Sequence, residues 1–310
     1  MNFISTFNQI FMLFTLILLG YISNKKGIIS QSLNKELSNV ILYITLPALV
    51  IKSMQYDFSK DMIGKSIKIV LISVSIYLIT IVLSYLVVKS LKLEGKIKDI
   101  IQFLLIFPNV GFMGYPVISS IYGDSGVFYT ALFNMPFNIL VWTIGVIIMS
   151  RSSREESSIN IKKIFLNPGV SALVVGYTLF LLSIKLPRPI YDLLNMLGSA
   201  TTPMAMIVVG SILAQSKIQD AFKNKYLLIV SFLRLLFIPF GIYIVLKNVF
   251  SVDGLVLGVT CVIPAMPCAA NAAIFATRFD NDHILASQGV FITTLFSIIT
   301  IPILVVMLQA

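Results

Sequence analysis

The sequence predicts an all-α integral membrane protein whose ten transmembrane helices form two inverted five-helix repeats. Three observations lead there. Of 310 residues, 57% are hydrophobic and 12% charged, and the mean hydropathy is +0.95, whereas soluble chains carry about 25% charged residues. Apolar runs of roughly 20 residues, enough to cross about 30 Å of hydrocarbon, follow one another along the whole chain. They are continuous rather than alternating, which indicates helices and not an outer-membrane barrel. Finally, the second half of the chain repeats landmarks of the first at a constant spacing.

Charged and Gly/Pro/Asn clusters cut the chain into the ten segments. The first, 4–23, lies in MNFISTFNQIFMLFTLILLGY, which lacks a basic n-region, so no cleavable signal is expected to stand apart from it. NKKGIISQSLNKE separates it from 37–55, and YDFSKDMIGK separates that from 66–88. KSLKLEGKIKD precedes 100–121, and YGDS divides that segment from 126–149. The stretch RSSREESSINIKKIFLNPG, Arg151 to Gly169, is short and polar and reads as a linker over 151–165 between repeats 1–150 and 166–310. In the second repeat, 166–184, 190–213, 225–246, 254–276 and 284–308 are divided by KLPRP, AQSKIQDAFKN, KNVFSVD and TRFDNDH.

An offset of 156 superposes Gly20-Tyr21 on Gly176-Tyr177, Asn39 on Asn195, Thr45 on Thr201, Pro47 on Pro203, Pro108 on Pro264 and Asp124 on Asp280, with Glu36 meeting Asp192. Five spans per repeat is an odd number, so the halves enter the membrane in opposite directions about a pseudo-two-fold axis in its plane. Of the 23 basic residues, 15 lie in connections after odd-numbered spans and 7 on the other side. The positive-inside rule makes the odd connections cytoplasmic and places both termini outside. The net charge of +10 is therefore a topology signal and not a nucleic-acid footprint.

Pro108 lies about nine residues into the fourth span and Pro264 about ten into the ninth, both near the bilayer midplane. Proline removes a backbone donor and clashes with the preceding turn. FPNVGFMGYP holds Asn109 and Gly111, and AMPCAANAAIFA holds Pro267, a row of small residues and Asn271. Two such breaks at equivalent places predict a pair of crossed discontinuous helices. Unwound backbone at that depth is tolerated where it is packed in protein or lines a cavity, and half-helix N-termini there suit an anionic group.

None of the 13 acidic residues falls at mid-depth, whereas Arg234 sits about ten residues into the eighth span. An intramembrane ionisable residue is a functional candidate; Arg234 reads either as a ligand for an anion or as a structural arginine, bonded to carbonyls of a broken helix or snorkelling toward an interface. Asn134 and Asn138 share one face of the fifth span, to line the cavity or to bond between helices, and Gln288 occupies the matching span of the second repeat. His283, the sole histidine, reads as a loop residue, and Cys261 and Cys268 read as small packing residues. No Ser/His, paired-Asp or metal-ligand constellation lies in the spans, so neither an enzyme nor a cofactor or metal is called for.

PNVGFMGYP and its proline-broken counterpart IPAMPCAANAAIFATRFD resemble the auxin efflux carrier family of permeases, over the whole chain. The resemblance implies an elevator fold like that of sodium–proton antiporters and bile-acid symporters. Spans one, two, six and seven would form the scaffold, and spans three to five and eight to ten the moving unit. It also implies a substrate site at the crossing, which carries over to Pro108, Asn109, Pro264 and Asn271. The plant carriers often have a long hydrophilic central loop. The short linker here resembles the bacterial members instead, some described as malate or malonate permeases, so auxin itself is not inferred.

The expectation is a secondary transporter of a small organic anion, a mono- or dicarboxylate, multi-pass in the inner (plasma) membrane, with a homodimer left open. One elementary charge crossing 100 mV is worth about 2.3 kcal/mol, so in a cell negative inside an anion uniporter favours efflux. Without an intramembrane carboxylate, uniport or proton coupling through the substrate's own carboxyl is preferred to sodium symport. A sodium-coupled symporter of the bile-acid type, with carbonyl and Asn or Gln oxygens as ligands, and a non-transporting receptor or structural protein stay as alternatives.

Overall fold

The computed structural model describes residues 3–152, 167–215, 218–250, 252 and 254–309. These residues are helical, with no strand among them. In chain order the helices are α1 (Phe3–Lys25), α2 (Gln31–Ser53), α3 (Lys60–Ser90), α4 (Gly95–Ile106), α5 (110–122), α6 (124–150) and α7 (Pro168–Leu181). There follow α8 (Arg188–Ala214), α9 (Ile218–Lys223), α10 (Lys225–Val249), α11 (Gly254–Val262), α12 (Ala272–Arg278) and α13 (His283–Gln309). Gln31–Ser53, Lys60–Ser90, Val110–Ser150, Arg188–Ala214, Lys225–Val249 and His283–Leu308 are each long and apolar enough to cross a membrane. The expected linker lies outside the described residues beyond Ser152, as do Arg154, Lys162, Lys163 and Lys217.

Helices extend past the apolar windows that mark them. The helix α2 starts at Gln31, six residues before the apolar window, because Ser30 caps it by accepting from the Leu33 amide at 3.1 Å. The helix α3 starts at Lys60, since Lys60, Asp61 and Lys65 are good helix formers or first-turn residues that hydropathy alone excludes. Helix α5 turns into α6 at Gly123, whose φ of 60° and ψ of −151° lie where only glycine sits without strain.

Backbones approach closely where glycines allow it. Helix α1 lies along α8, and a Cβ on Gly210 would strike the Ile17 carbonyl while one on Gly20 would strike that of Ile207. Helix α2 packs on α7 and α8, with Gly176 against Met54 and Ile51 and Gly198 against the Leu49 backbone. Between apolar helices in lipid, such close van der Waals contact is the main attraction. Helix α3 packs on α4 and α6, where the Ser73 hydroxyl donates to the Phe133 carbonyl at 2.7 Å, and α13 packs on α10 and α12. The central helices bury Phe103, Phe107, Tyr115 and Phe133 completely, while Leu71, Ile79 and Phe232 on the outside stay exposed. An exposed apolar belt of this kind suits hydrocarbon as its solvent.

Candidate functional site

The site is built on two helix breaks. Helix α4 ends at Ile106 because Pro108 has no amide hydrogen for the Leu104 carbonyl. Helix α11 ends at Val262, and its chain stays irregular to Asn271. The first halves of the two broken segments thus end 156 residues apart, as Pro108 and Pro264 do. The second halves start 162 apart, at Val110 and Ala272. The second break is the longer, and it brings Cys268 rather than Pro264 opposite Pro108. The two extended segments run antiparallel there: the Asn109 amide donates to the Pro267 carbonyl at 2.7 Å and the Ala269 amide to the Phe107 carbonyl at 3.0 Å.

This crossing resolves the carbonyls that a helix end leaves without partners. The Leu104 carbonyl accepts from the Cys268 thiol at 3.4 Å, those of Leu105 and Ile106 from Arg234 at 2.7 and 3.3 Å, and that of Phe107 from Ala269. Cys268 is thus more than a packing residue: its amide donates to the Thr293 hydroxyl at 3.1 Å, which ties the crossing to α13. Arg234 is 1% exposed, presented by a π-helical turn over Leu233–Phe237, and its Nε also donates to the Met266 carbonyl at 3.4 Å.

A cavity of about 400 Å³ opens on one side of the crossing. It is lined by Pro108, Asn109 and Gly111 of the first break, Ala269, Ala270 and Asn271 of the second, and Asn134 and Asn138 of α6. Asn39 of α2 and Asn167 ahead of α7 close it, with Tyr43, Tyr115 and Trp142 among the aromatic walls. Among the described residues, the lining holds six asparagines and no Asp, Glu, Lys, Arg or His. Three π-helical turns, Ile41–Thr45, Val110–Gly114 and Val141–Gly145, supply wall residues; such irregular turns recur at functional sites because they re-aim side chains.

The polar groups are held in place by local bonds. Asn109 caps α5, its side-chain oxygen accepting from the Phe112 amide at 3.2 Å, so the N-terminal end of α5 forms part of the cavity wall. The Asn138 side-chain Nδ2 donates to the Asn134 backbone carbonyl at 2.9 Å, and the Asn167 side-chain Nδ2 donates to the Asn138 side-chain oxygen at 3.3 Å. The side-chain oxygens of Asn134 and Asn271 are buried without a partner in the protein. An amide that rotates by a half-turn exchanges that acceptor for a donor.

Six of the nine residues singled out from the sequence line the cavity: Pro108, Asn109, Gly111, Asn134, Asn138 and Asn271. Three do not. Arg234 faces the opposite side of the crossing, drawn to the orphaned carbonyls of α4; Pro264 is buried beside it, because the longer second break moves the point of crossing to Cys268. Gln288 is half-buried on α13, away from the cavity, because α13 meets the crossing through Thr293, more than a turn further on. Asn39 and Asn167 escaped the sequence reading. Asn167 carried a signal, since Asn before Pro168 is a helix start, and its side-chain oxygen accepts from the Gly169 amide at 2.9 Å.

Comparison with known proteins adds to this geometry. A family model described as membrane transport protein matches residues 5–162 and 157–305. An uncharacterized transporter of Methanothermobacter thermautotrophicus is 29% identical over 98% of this chain and 98% of its own length. One of Methanocaldococcus jannaschii is 25% identical over 93% and 94%. A protein of Rhizobium meliloti whose name proposes malonate transport is 21% identical over 96% and 94%.

Proposed function

The chain belongs to the membrane transport protein family, the auxin efflux carriers, and from that premise we propose that this multi-pass membrane protein carries a small organic anion by elevator-type alternating access. The observation that carries the proposal is the cavity at the crossing, with the N-terminal end of α5 and six asparagines in its wall and no charged side chain among the described residues. Amide donors and a helix N-terminus bind a carboxylate without the tight ion pair that would hinder its release. Acidic groups, which would repel an anion, are absent from the wall among the described residues. The malonate assignment in the name of the Rhizobium meliloti relative makes a short dicarboxylate the first substrate to try.

Packing supports the ten-span inverted repeat. The pairs α1–α8 and α7–α2 are equivalent under it, as are α3–α6 and α10–α13. The cavity lies between α2 and the start of α7, on the scaffold side, and the broken helices with α6, on the moving side. Its wall includes Pro168 at the start of α7, an end that the positive-inside reading makes cytoplasmic, which supports reading it as an inward-facing form. At the other end, Lys52 of α2 pairs with Asp124 of α6 at 2.8 Å and joins the two sides.

The test is flux in proteoliposomes with a panel of labelled mono- and dicarboxylates. Saturable uptake of at least one, with competition by its analogues, is the expected result. A panel in which no carboxylate moves, while the protein is folded and inserted, would overturn the proposal in favour of a receptor.

A further inference from the structure

Three lysines cluster on the side of the molecule where the charge bias predicts few. Of the basic residues on the side opposite the odd connections, Lys60, Lys65 and Lys68 all fall in the first turns of α3. Lys65 donates to Asp61 at 2.6 Å, and nearby Lys52 is paired with Asp124. Lys68 is exposed and makes no ion pair or hydrogen bond with any described residue. A cavity of about 340 Å³ collects this end of α3: Asp61, Lys65 and Lys68 line it together with Tyr56 and with Ser125 and Tyr129 of α6. Since Lys65 matches Asp61, Lys68 is left as one uncompensated positive charge in a wall that also offers three hydroxyls.

Lys68 also heads a second, apolar cavity. A groove of about 580 Å³ runs between α3 and α10 and shares Lys68 and Val252 with the polar one. Its α3 wall recurs every three or four residues from Lys68 to Leu83, which is one face of the helix, and its α10 wall does so from Phe237 to Leu246. From Lys68 to Leu83 the helix rises about 22 Å, more than the roughly 15 Å of hydrocarbon in one leaflet. Ile76, Thr80, Ile238 and Leu246 form a buried floor, while Leu71, Ile79, Phe237 and Phe250 are exposed rims. Gly241 widens the groove, because a Cβ there meets nothing within 4 Å. Helix α3 packs on α4 and α6 and α10 on α13, which leaves the groove open to the bilayer.

A polar chamber with one net positive charge that continues into an apolar groove of leaflet length matches an amphiphile. We propose that this face holds a phospholipid of one net negative charge, its phosphate against Lys68, its headgroup hydroxyls toward Tyr56, Ser125 and Tyr129, and one acyl chain in the groove between α3 and α10. Bulk lipid tails would fill the groove and leave Lys68 without a partner; a free phosphate would meet Lys68 and leave the groove empty of apolar contact. One molecule with both parts satisfies both cavities. A lipid so placed bridges two helices that otherwise leave a gap between them, and this holds whatever solute the carrier moves.

The experiment is native mass spectrometry of the purified full chain in detergent, titrated with phosphatidylglycerol and phosphatidylcholine of matched acyl chains in equal parts. The native chain is expected to retain phosphatidylglycerol about fivefold better, the effect of one lysine on an anionic lipid. Lys60→Gln, outside both cavities, should keep that preference, and Lys68→Gln should abolish it. Gly241→Leu, which fills the groove, should weaken both lipids by about fourfold or more, as displacing a methylene would, with the preference intact. Glycerol 3-phosphate, the head without the chains, should not displace the lipid. Equal retention of the two lipids by the native chain would mean annular lipid only and would overturn the proposal. So would an unchanged preference in Lys68→Gln, or displacement by glycerol 3-phosphate, which would make this a site for free phosphates. If Gly241→Leu does not fold, Lys68→Gln still decides, since Lys68 is exposed and holds no contact the fold needs.

Discussion

Asn109 does two jobs with one side chain. Its oxygen caps α5 through the Phe112 amide, and its position puts the same side chain in the cavity wall. Loss of a cap costs about 0.5–2 kcal/mol, so Asn109→Ala confounds stability with binding. Asn109→Asp separates them, because the carboxylate keeps the capping oxygen and favours the helix N-terminus. We expect its unfolding midpoint to stay within about 2 °C of the native value. Carboxylate binding should weaken by about tenfold or more, as two like charges at about 4 Å repel by roughly 1 kcal/mol even in water and more in a partly buried site. Isothermal titration or ligand-induced thermal shift measures the second effect; unchanged affinity would remove Asn109 from the binding site. Arg234 teaches the converse lesson at this scale. Its depth in the sequence marks it as unusual, but only the position of the α4 carbonyls shows where its guanidinium is held.

At the scale of elements, the two glycines Gly111 and Gly123 separate a backbone effect from a steric one. A Cβ on either meets nothing within 4 Å. Gly123 has φ of 60° and joins α5 to α6, whereas Gly111 has no such requirement and borders the cavity. Gly123→Ala should therefore cost about 1–3 kcal/mol, read as a lower unfolding midpoint. Gly111→Ala should cost no more than about 0.5 kcal/mol and act on transport alone by narrowing the wall. The breaks in the apolar segments were legible in the prolines, and so was their meeting. The longer second break was not. Its extra residues, AMPCAA, are apolar and small, and such a run reads the same whether it coils or not. Its actual path is set by partners on other elements, namely the donors Asn109 N–H and Arg234 and the Thr293 hydroxyl, which accepts from the Cys268 amide.

Over the whole molecule, the Lys52–Asp124 pair joins α2 to α6, the two parts that the proposed elevator motion would move past each other. Lys52 is 15% and Asp124 34% exposed, so the pair contributes about 1 kcal/mol at most to stability. That amount still shifts a two-state equilibrium about fivefold. Lys52→Ala should make a cysteine placed by Ala270→Cys less reactive to a cytoplasmic-side reagent, and charge exchange at both positions should restore it. Equal labelling in all variants would show that the pair does not hold the closed end. The sequence by itself determined the solvent, the helical class, the positions of the apolar segments and the two interruptions, because hydropathy and proline act locally and independently of the fold. Six of the cavity residues came with them, since Pro108, Asn109, Gly111 and Asn271 belong to the interruptions themselves and Asn134 and Asn138 stand out as polar residues in an apolar helix. Only the tertiary structure decided that Cys268 faces Pro108, that Arg234 serves carbonyls rather than the cavity, and that Asn39 and Asn167 complete the wall. The reason is that an unpaired backbone group in an apolar interior takes whichever donor the packing brings to it. Residues such as Leu105 and Arg234, 129 positions apart, become partners only when the helices are in place.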